Sequence, residues 1–403
     1  MLIRRLGTAD AVIIGLGSMV GAGVFVVFAP AAAAAGSALL LSLAIAAIVA
    51  FCNATSSARL AARYPVSGGS YVYGRERLGE FWGYLAGWSF VVGKTASCAA
   101  MALTVGLYLW PQHAHAVAVA AVAALTAVNY RGIQKSALAT RVVVAVVLAV
   151  LTGVIAVIAG STHERISLSG GSVHGVLEAA GLLFFAFAGY ARIATLGEEV
   201  REPARTIPRA IRLALAITLA VYAAVALSLL AALGPAGLAT ATAPLAQAVQ
   251  ACGAAGFAQV VRIAAAAAAL GSLLSLILGV SRTALAMARD GYLPTALAAV
   301  HPRYGVPHRA EVAVGVIVAT VAAFADVRGA IGFSSFAVLA YYAVANASAW
   351  TLDGPRLHRA VPVIGLTGCL LLACYLPTSS VIAGAGLLAL GAAVFAVNSF
   401  RSP

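Results

Sequence analysis

Apolar residues run along this chain in long stretches that are separated by short polar segments. A helix needs about 20 predominantly apolar residues to cross the hydrocarbon core of a bilayer. Twelve stretches approach or exceed that length, near residues 8–28, 36–58, 80–109, 115–129, 138–160, 174–196, 208–233, 256–288, 309–325, 329–351, 361–376 and 380–399. The pattern predicts an all-α, polytopic membrane protein with twelve transmembrane helices.

The first stretch carries a cluster of glycines where a membrane helix should be most regular. Four glycines, at positions 15, 17, 21 and 23, fall within nine residues, and each glycine inside a helix costs about 1 kcal/mol relative to alanine. The cluster predicts an interruption of the helix. Unwound backbone at membrane depth is tolerated where it lines a cavity or meets a ligand, so the segment is a candidate substrate site. Close helix packing through the Gly17-x-x-x-Gly21 spacing is the alternative explanation.

A second interruption is predicted in the sixth stretch, where Gly181 and Gly189 flank bulky aromatic residues. The first and sixth helices occupy corresponding places if the first ten helices form two repeats of five. Because five is odd, the second repeat starts on the opposite side of the membrane, and the repeats are inverted. Paired broken helices in an inverted repeat are typical of secondary transporters. We expect residues 1–160 and 161–351 to form the repeats and residues 352–403 to add two helices.

The positions of the charges explain the basic composition. The 403 residues are 63% hydrophobic and 9% charged, with a formal net charge of +13. Most of the lysines and arginines fall into segments on one side of the predicted helices, and such segments face the cytoplasm. We therefore expect a cytoplasmic-membrane protein with both termini in the cytoplasm. The basic excess reflects topology and contact with anionic lipid, and not a nucleic-acid partner.

Residue types that serve catalysis or metal binding are scattered along the chain. The five cysteines have no Cys-x-x-Cys spacing, and the seven histidines show no metal-binding spacing such as His-Glu-x-x-His. The sequence has neither a nucleotide-binding phosphate loop nor an esterase-type serine motif. We predict that the protein is not an enzyme and has no metal and no cofactor. Two functions remain possible at this point: a transporter, and a membrane sensor that binds an amino acid without moving it.

Five segments of the chain resemble motifs of one transporter family. They are Gly17-Ser-Met-Val-Gly-Ala-Gly-Val-Phe25, Ala61-Ala-Arg-Tyr-Pro-Val-Ser-Gly-Gly-Ser-Tyr-Val-Tyr73, Phe184-Phe-Ala-Phe-Ala-Gly-Tyr190, Gly197-Glu-Glu-Val-Arg-Glu-Pro203 and Ala288-Arg-Asp-Gly-Tyr-Leu-Pro294. In this order the segments are similar to the amino acid-polyamine-organocation transporter superfamily. Within it, the chain resembles bacterial permeases related to cationic amino acid transporters.

The resemblance implies five plus five inverted helices with two more added, alternating access, and an amino acid as substrate. Transport is expected to be coupled to protons or to proceed by exchange. Backbone N–H groups at the start of a half-helix would attract the carboxylate, and freed carbonyl groups would accept hydrogen bonds from the ammonium. Aromatic residues of helix 6 would select the side chain. The candidate substrate-binding residues are Ser18, Val20, Gly21, Ala22, Gly23, Phe185, Ala186, Phe187, Ala188, Gly189 and Tyr190.

Lys94 is the most unusual side chain within the predicted helices. It lies about 14 residues beyond Glu80, or roughly 21 Å along a helix, which is too deep for easy contact with the cytoplasmic surface. Intramembrane lysines are functional as a rule. Several relatives carry a lysine in helix 5, whereas the matching residues 146–149 are apolar. We hypothesise that Lys94 is a coupling group near Ser272 and Ser275; a structural role in a polar cavity is the alternative.

Arg192 bears on the charge of the substrate. Relatives often have an acidic residue directly after the helix 6 motif, where this chain has Ala191 followed by Arg192. Like charges repel strongly at low dielectric, so Lys94 and Arg192 favour a neutral or acidic amino acid. A cationic amino acid or a polyamine is the alternative. Arg192 could instead point to the cytoplasmic end, where Glu198 and Glu199 are its candidate partners. These charged residues are candidate gating residues, and the alternative is that their segment is a solvated loop without a gating role.

Overall fold

The computed structural model is helical throughout the residues that it describes, which are 6–64, 68–132, 137–161, 171–194, 200–353 and 356–399. The helices are α1 Thr8–Met19, α2 Gly23–Val26, α3 Phe28–Ala35, α4 Leu39–Arg63, α5 Ser70–Leu78, α6 Glu80–Leu109, α7 Ala114–Tyr130, α8 Ala137–Ala159, α9 Val173–Phe187, α10 Ala191–Ala194, α11 Pro203–Thr240, α12 Pro244–Ala251, α13 Ala255–Arg289, α14 His308–Phe324, α15 Val327–Trp350, α16 Arg356–Tyr375 and α17 Thr378–Ser399. In these ranges the β-structure is one isolated bridge between Leu6 and Val200.

Most of these helices are apolar enough to lie in a membrane. Ten helical segments of the described ranges have the length and composition to cross a bilayer, so the prediction of an all-α, multi-pass membrane protein is confirmed. Two of the predicted spans coincide with shorter helices. Helix α14 has 17 residues, and the apolar part of α16 runs from Arg359 to Tyr375. The number of twelve spans stays a prediction.

The first interruption lies inside the glycine cluster. Helix α1 ends at Met19, residues 20–22 are non-helical, and α2 begins at Gly23. Gly21 allows the close approach of α13, because a Cβ atom at this position would overlap the hydroxyl group of Ser272. The chain therefore unwinds at a place where α13 packs closely against it, and the role of the break as a substrate site stays a prediction.

The second interruption is a tight turn. Helix α9 ends at Phe187, a 3-10 turn covers Ala188–Tyr190, and α10 continues at Ala191. The turn lies on the end of α1, because a Cβ atom added at Gly189 would overlap the carbonyl oxygen of Ser18. The two interrupted helices therefore touch at their breaks.

The breaks lie in the middle of the helix bundle. Helices α6, α9 and α15 are the most buried of the candidate spans, whereas α7 and α17 are mostly exposed. Helix α6 packs on α13 and α15, and α11 packs on α1, α3 and α4. This arrangement surrounds the breaks with α6, α11, α13 and α15.

Hydrogen bonds tie α5 to the end of α13 and to α15. The Tyr71 hydroxyl donates to the Asp290 carboxylate, and Arg75 Nη1 lies 3.1 Å from the same carboxylate. The Tyr341 hydroxyl accepts the backbone N–H of Ser70 at 2.9 Å. Burial, and next the hydrogen bond to Asp290, raise the pKa of Tyr71, so its hydroxyl keeps its proton and keeps donating. These contacts join the connection between α4 and α6 to two helices that surround the breaks.

Candidate functional site

Three buried backbone N–H groups at the α1 break lack acceptors. They belong to Gly21, Ala22 and Gly23, which are all buried. Within the described part of the chain, no oxygen accepts a hydrogen bond from them. Buried N–H groups without a partner are rare in proteins. These three lie where the half-helix of α2 and α3 begins, at the positive end of its dipole, so the arrangement suits a carboxylate.

Ser272 places an unpaired hydroxyl group beside these N–H groups. It lies on α13 and is 8% exposed, and its Oγ has no hydrogen-bond partner among the described residues. The collision that a Cβ atom at Gly21 would cause shows how close this oxygen comes to the break. The break and α13 together form a small polar region with unused donors.

One tyrosine connects the two breaks. Tyr222 on α11 is fully buried. Its hydroxyl oxygen lies 2.5 Å from the carbonyl oxygen of Met19 and 3.1 Å from that of Ala186. These carbonyl groups belong to the interrupted parts of α1 and α9. A hydroxyl group has a single proton to donate, so one of the two carbonyl oxygens can accept a hydrogen bond from another donor, such as an ammonium group.

Two further tyrosines bind carbonyl groups near the breaks. The Tyr108 hydroxyl on α6 donates to the Phe25 carbonyl at 2.7 Å, and the Tyr342 hydroxyl on α15 lies 3.4 Å from the Ala188 carbonyl. Sequence reasoning missed these residues and Tyr222. A signal existed, because a buried tyrosine in an apolar helix needs a partner for its hydroxyl group.

The aromatic candidates of helix α9 and its turn differ in their surroundings. The rings of Phe187 and Tyr222 have centroids 5.1 Å apart, and Tyr190 packs on another tyrosine at the same distance. Phe185 is 8% exposed and lies beside the α1 break. The structure therefore brings the predicted residues of both broken helices into one region, with Phe187 and Tyr190 packed against tyrosines.

A small cavity lies next to the α1 break. Its volume is about 10 Å³, and it is lined by Gly17, Val20, Gly21, Val143, Val144, Val147 and Ala268. A cavity of this size holds about one water molecule. Helix α8, which contains no lysine, contributes three valines to this lining.

Lys94 is buried in α6 without an anionic partner. It is 7% exposed, and among the described residues none forms a hydrogen bond or an ion pair with its ammonium group. The preceding residue, Gly93, packs on α15, because a Cβ atom added at Gly93 would lie 2.7 Å from the Ala337 Cβ. Cys98, one turn further along α6, belongs to the same buried cluster as Ala22 of the α1 break. Lys94 therefore lies on a buried face of α6, one turn from Cys98.

Two of the predicted serines do not turn their hydroxyl groups to the site. Ser275 is exposed and donates to the Gly271 carbonyl at 3.0 Å, so the structure does not bring it beside Lys94. The Ser18 hydroxyl donates to the Ile14 carbonyl at 3.1 Å. Ser18 contacts the second break through its backbone carbonyl group and not through its hydroxyl group.

Of the charged residues predicted after helix 6, Arg192 lies in the described part of the chain. Arg192 is exposed on α10, whereas Lys94 is buried, so the protein encloses one of these two cations and not both. The effect of Arg192 on the charge of the substrate stays a prediction. Glu198 and Glu199 lie outside the described residues.

Comparison with known proteins gives a consistent result. A family profile described as amino acid permease matches residues 6–400. The chain is 68% identical to a protein of Mycobacterium tuberculosis named as an uncharacterized transporter, over 98% of this chain and 92% of the relative. It is 26% identical to a branched-chain amino acid permease of Bacillus subtilis, over 76% of this chain and 72% of the relative. It is 28% identical to human cationic amino acid transporter 4, over 85% of this chain and 58% of the relative.

Proposed function

Because the chain belongs to the amino acid permease family, we propose that it is a secondary active transporter that moves amino acids across the cytoplasmic membrane by alternating access. Family membership makes it a multi-pass membrane permease and not an enzyme. In the proposed fold, residues 1–160 and 161–351 form inverted repeats of five membrane helices, and residues 352–403 add two more. The breaks in α1 and after α9 support this division, because they fall in corresponding helices of the two repeats.

The unpaired N–H groups of Gly21, Ala22 and Gly23 carry the proposal for the substrate site. The carboxylate of an amino acid would accept hydrogen bonds from them and from the hydroxyl group of Ser272. An unpaired buried donor costs about 1–3 kcal/mol. A bound carboxylate would remove this cost, so the site would gain free energy from binding it.

The ammonium group of the same substrate would lie against carbonyl groups of the two breaks. Met19 and Ala186 share the Tyr222 hydroxyl, and each carbonyl oxygen has a second lone pair. One zwitterion would then contact α1 and α9 at once, with its side chain directed toward Phe187 and Tyr190. Such a substrate would link the two broken helices.

We propose a neutral amino acid as the substrate. Ala191 stands where relatives often have an acidic residue, and Lys94 puts a positive charge inside the bundle. A cationic side chain would be repelled at low dielectric, and an acidic side chain is the second candidate. The names of the relatives support both neutral and cationic substrates, since one is a branched-chain permease and another a cationic transporter.

Lys94 is the proposed coupling group, with Ser272 as its polar neighbour across the site. A buried ammonium group without an anion is costly, and release of its proton would remove that cost. Proton loss and substrate binding could therefore be linked. The segment with Arg192, Glu198 and Glu199 is the proposed gate, on the same cytoplasmic side as both termini.

Counterflow in proteoliposomes tests the proposed function. Vesicles loaded with an unlabelled neutral amino acid should take up the labelled form, and an inward proton gradient should raise the accumulation. Binding without counterflow would identify a sensor and overturn the transport proposal. Counterflow of arginine in preference to neutral amino acids would overturn the substrate class alone.

A further inference from the structure

Glu311 is a buried acid that the amino acid site does not use. It lies in the first turn of α14 and is fully buried. Neither of its carboxylate oxygens has a hydrogen-bond partner among the described residues. A glutamate in a first turn can cap the free N–H groups there, but a capping carboxylate would have such a bond. Helix capping therefore does not explain Glu311.

The neighbours of Glu311 also have unused polar atoms. His308 lies one turn earlier on the same face of α14, and its Nδ1 is buried and has no partner in the described chain. Thr126 on α7 lies against the next turn of α14, since its Oγ1 would be 2.5 Å from a Cβ atom added at Gly315. This Oγ1 is unpaired as well. Unpaired polar groups of α7 and α14 therefore lie on neighbouring turns where these two helices pack together.

A pair of imidazoles leads from this region toward the surface. The ring of His301, in the connection between α13 and α14, has its centroid 5.3 Å from that of His308. Tyr130 packs on both rings, at 5.5 and 6.0 Å. His301 Nδ1 accepts the backbone N–H groups of Arg303 and Tyr304 at 3.2 and 3.3 Å, so its Nε2 carries the proton. Both imidazoles are partly exposed, whereas Glu311 is not.

The charge around Glu311 is not balanced by an ion pair. Arg282 on α13 attracts the carboxyl group but forms no hydrogen bond with it in the described chain. A buried carboxylate without a partner is costly, while its neutral form is much less so. The surrounding elements carry these titratable and charged groups: Arg262, Arg282 and Arg289 on α13, His308 and Arg309 on α14, His115 and Tyr130 on α7 with Arg131 directly after it, Glu80, Tyr84, Lys94, Cys98 and Tyr108 on α6, and Asp290, Tyr292, His301, Arg303 and Tyr304 in the connection between α13 and α14.

We propose that Glu311 is a proton-binding site separate from the amino acid site, and that His301 and His308 carry the proton to it. The proton comes from water, passes from His308 to a carboxylate oxygen of Glu311, and returns by the same route. In the neutral form, the carboxyl group stays between α7 and α14. In the ionised form, it needs Arg282 or entering water as a partner, and the packing of α7 and α14 on α13 changes. Helix α13 carries Ser272, so the proton would act on the transport site from a distance.

Infrared difference spectroscopy on the protein in lipid vesicles tests the site directly. A neutral carboxyl group has a carbonyl stretching band that a carboxylate lacks. We expect one such band to disappear between acidic and alkaline buffer in the wild type, to be missing in Glu311→Gln, and to persist in Glu202→Gln. Glu202 is the control because it is an exposed acid, 3.4 Å from Arg205. Identical spectra of the wild type and Glu311→Gln at every pH would overturn the proposal.

Further variants separate this site from folding defects and from the proposed coupling group. In acidic buffer, Glu311→Gln should melt at the wild-type temperature, because both proteins then carry a neutral side chain. Should Glu311→Gln fail to fold, Glu311→Asp must shift the frequency of the band. The band should keep its size in Lys94→Ala, and its loss there would overturn the independence of the two sites.

A pH jump followed by time-resolved infrared measurement tests the histidines. In His308→Ala and in His301→Ala, we expect a band of unchanged size that appears several-fold more slowly than in the wild type. Unchanged rates in both variants would overturn the role of the histidines in carrying the proton.

Discussion

Gly23 lies directly against Ala186: a Cβ atom at position 23 would be 2.9 Å from the Ala186 Cβ. Gly23→Ala should therefore push the two broken helices apart. Overpacking of this kind costs about 1–3 kcal/mol, so we expect the initial uptake rate in proteoliposomes to fall about tenfold. Gly279→Ala on α13 is the control, because an added Cβ atom there has nothing within 4 Å. Equal loss in both variants would contradict the explanation.

Tyr222→Phe should weaken the contact between the breaks. The variant keeps the ring but loses the donor to the Met19 and Ala186 carbonyl groups. Buried acceptors without a donor cost about 1–3 kcal/mol, so we expect a lower melting temperature and weaker substrate binding, measured by thermal unfolding with and without substrate. Tyr375→Phe is the matched control, because Tyr375 on α16 is half-buried and its ring packs on that of His174. A Tyr222→Phe protein as stable as the wild type would count against this role.

Substitutions of Gly21 and Ser272 should have non-additive effects on uptake. Gly21→Ala is expected to abolish uptake, because the new methyl group collides with the Ser272 hydroxyl. Ser272→Gly removes that oxygen, so uptake in the double variant should be higher than in Gly21→Ala alone. Residues in contact commonly show coupling of about 0.5–3 kcal/mol. Uptake rates of the wild type, both single variants and the double variant give this coupling, and purely additive losses would contradict it.

The position of the α1 break could be predicted from the sequence because glycine weakens a helix whatever surrounds it. The cluster at residues 15–23 contains the non-helical residues 20–22. The shape of the second break could not be predicted in the same way. Gly189 adopts a tight turn against the Ser18 carbonyl, and this contact joins segments that are far apart in the chain.

Contacts between helices that are far apart in the chain could not be predicted from the sequence either. Tyr222 lies 203 positions from Met19, and its approach to the break depends on how α11 packs on α1. Ser272 and Ser275 are one turn apart on α13, yet one is buried and the other exposed. Which of the two serines is buried depends on the rotation of α13 about its own axis, and the packing of α13 on its neighbours sets that rotation.

Tyr71→Phe should loosen the tie between α5 and α13. Tyr71 donates to Asp290, and burial and this bond raise its pKa. The contribution to stability is therefore fully present below the ordinary tyrosine pKa of about 10 and is lost as the pH rises above it. We expect the difference in melting temperature between wild type and Tyr71→Phe to be constant from neutral pH to about 10 and to shrink above it. A difference that already shrinks near neutral pH would contradict this.

Lys94→Ala should separate transport from its coupling. If Lys94 couples uptake to protons, the variant loses accumulation driven by a pH gradient and keeps counterflow. Lys94 is buried without an anionic partner among the described residues, whereas Arg359 on α16 is an exposed cation outside the proposed site and gate. Arg359→Ala is therefore the control and should keep accumulation. Gradient-driven accumulation that is unchanged in Lys94→Ala would refute the coupling role.

The bridge between Leu6 and Val200 links two segments that directly precede helices. The backbone N–H of Arg201 donates to the Leu6 carbonyl at 2.9 Å, two residues before α1 begins and two residues before α11 begins. A tilt of α1 must break this bond or take the start of α11 along. The start of α1 and the start of α11 thus move together. Because α11 also carries Tyr222, the same movement reaches the contacts that Tyr222 makes at the breaks.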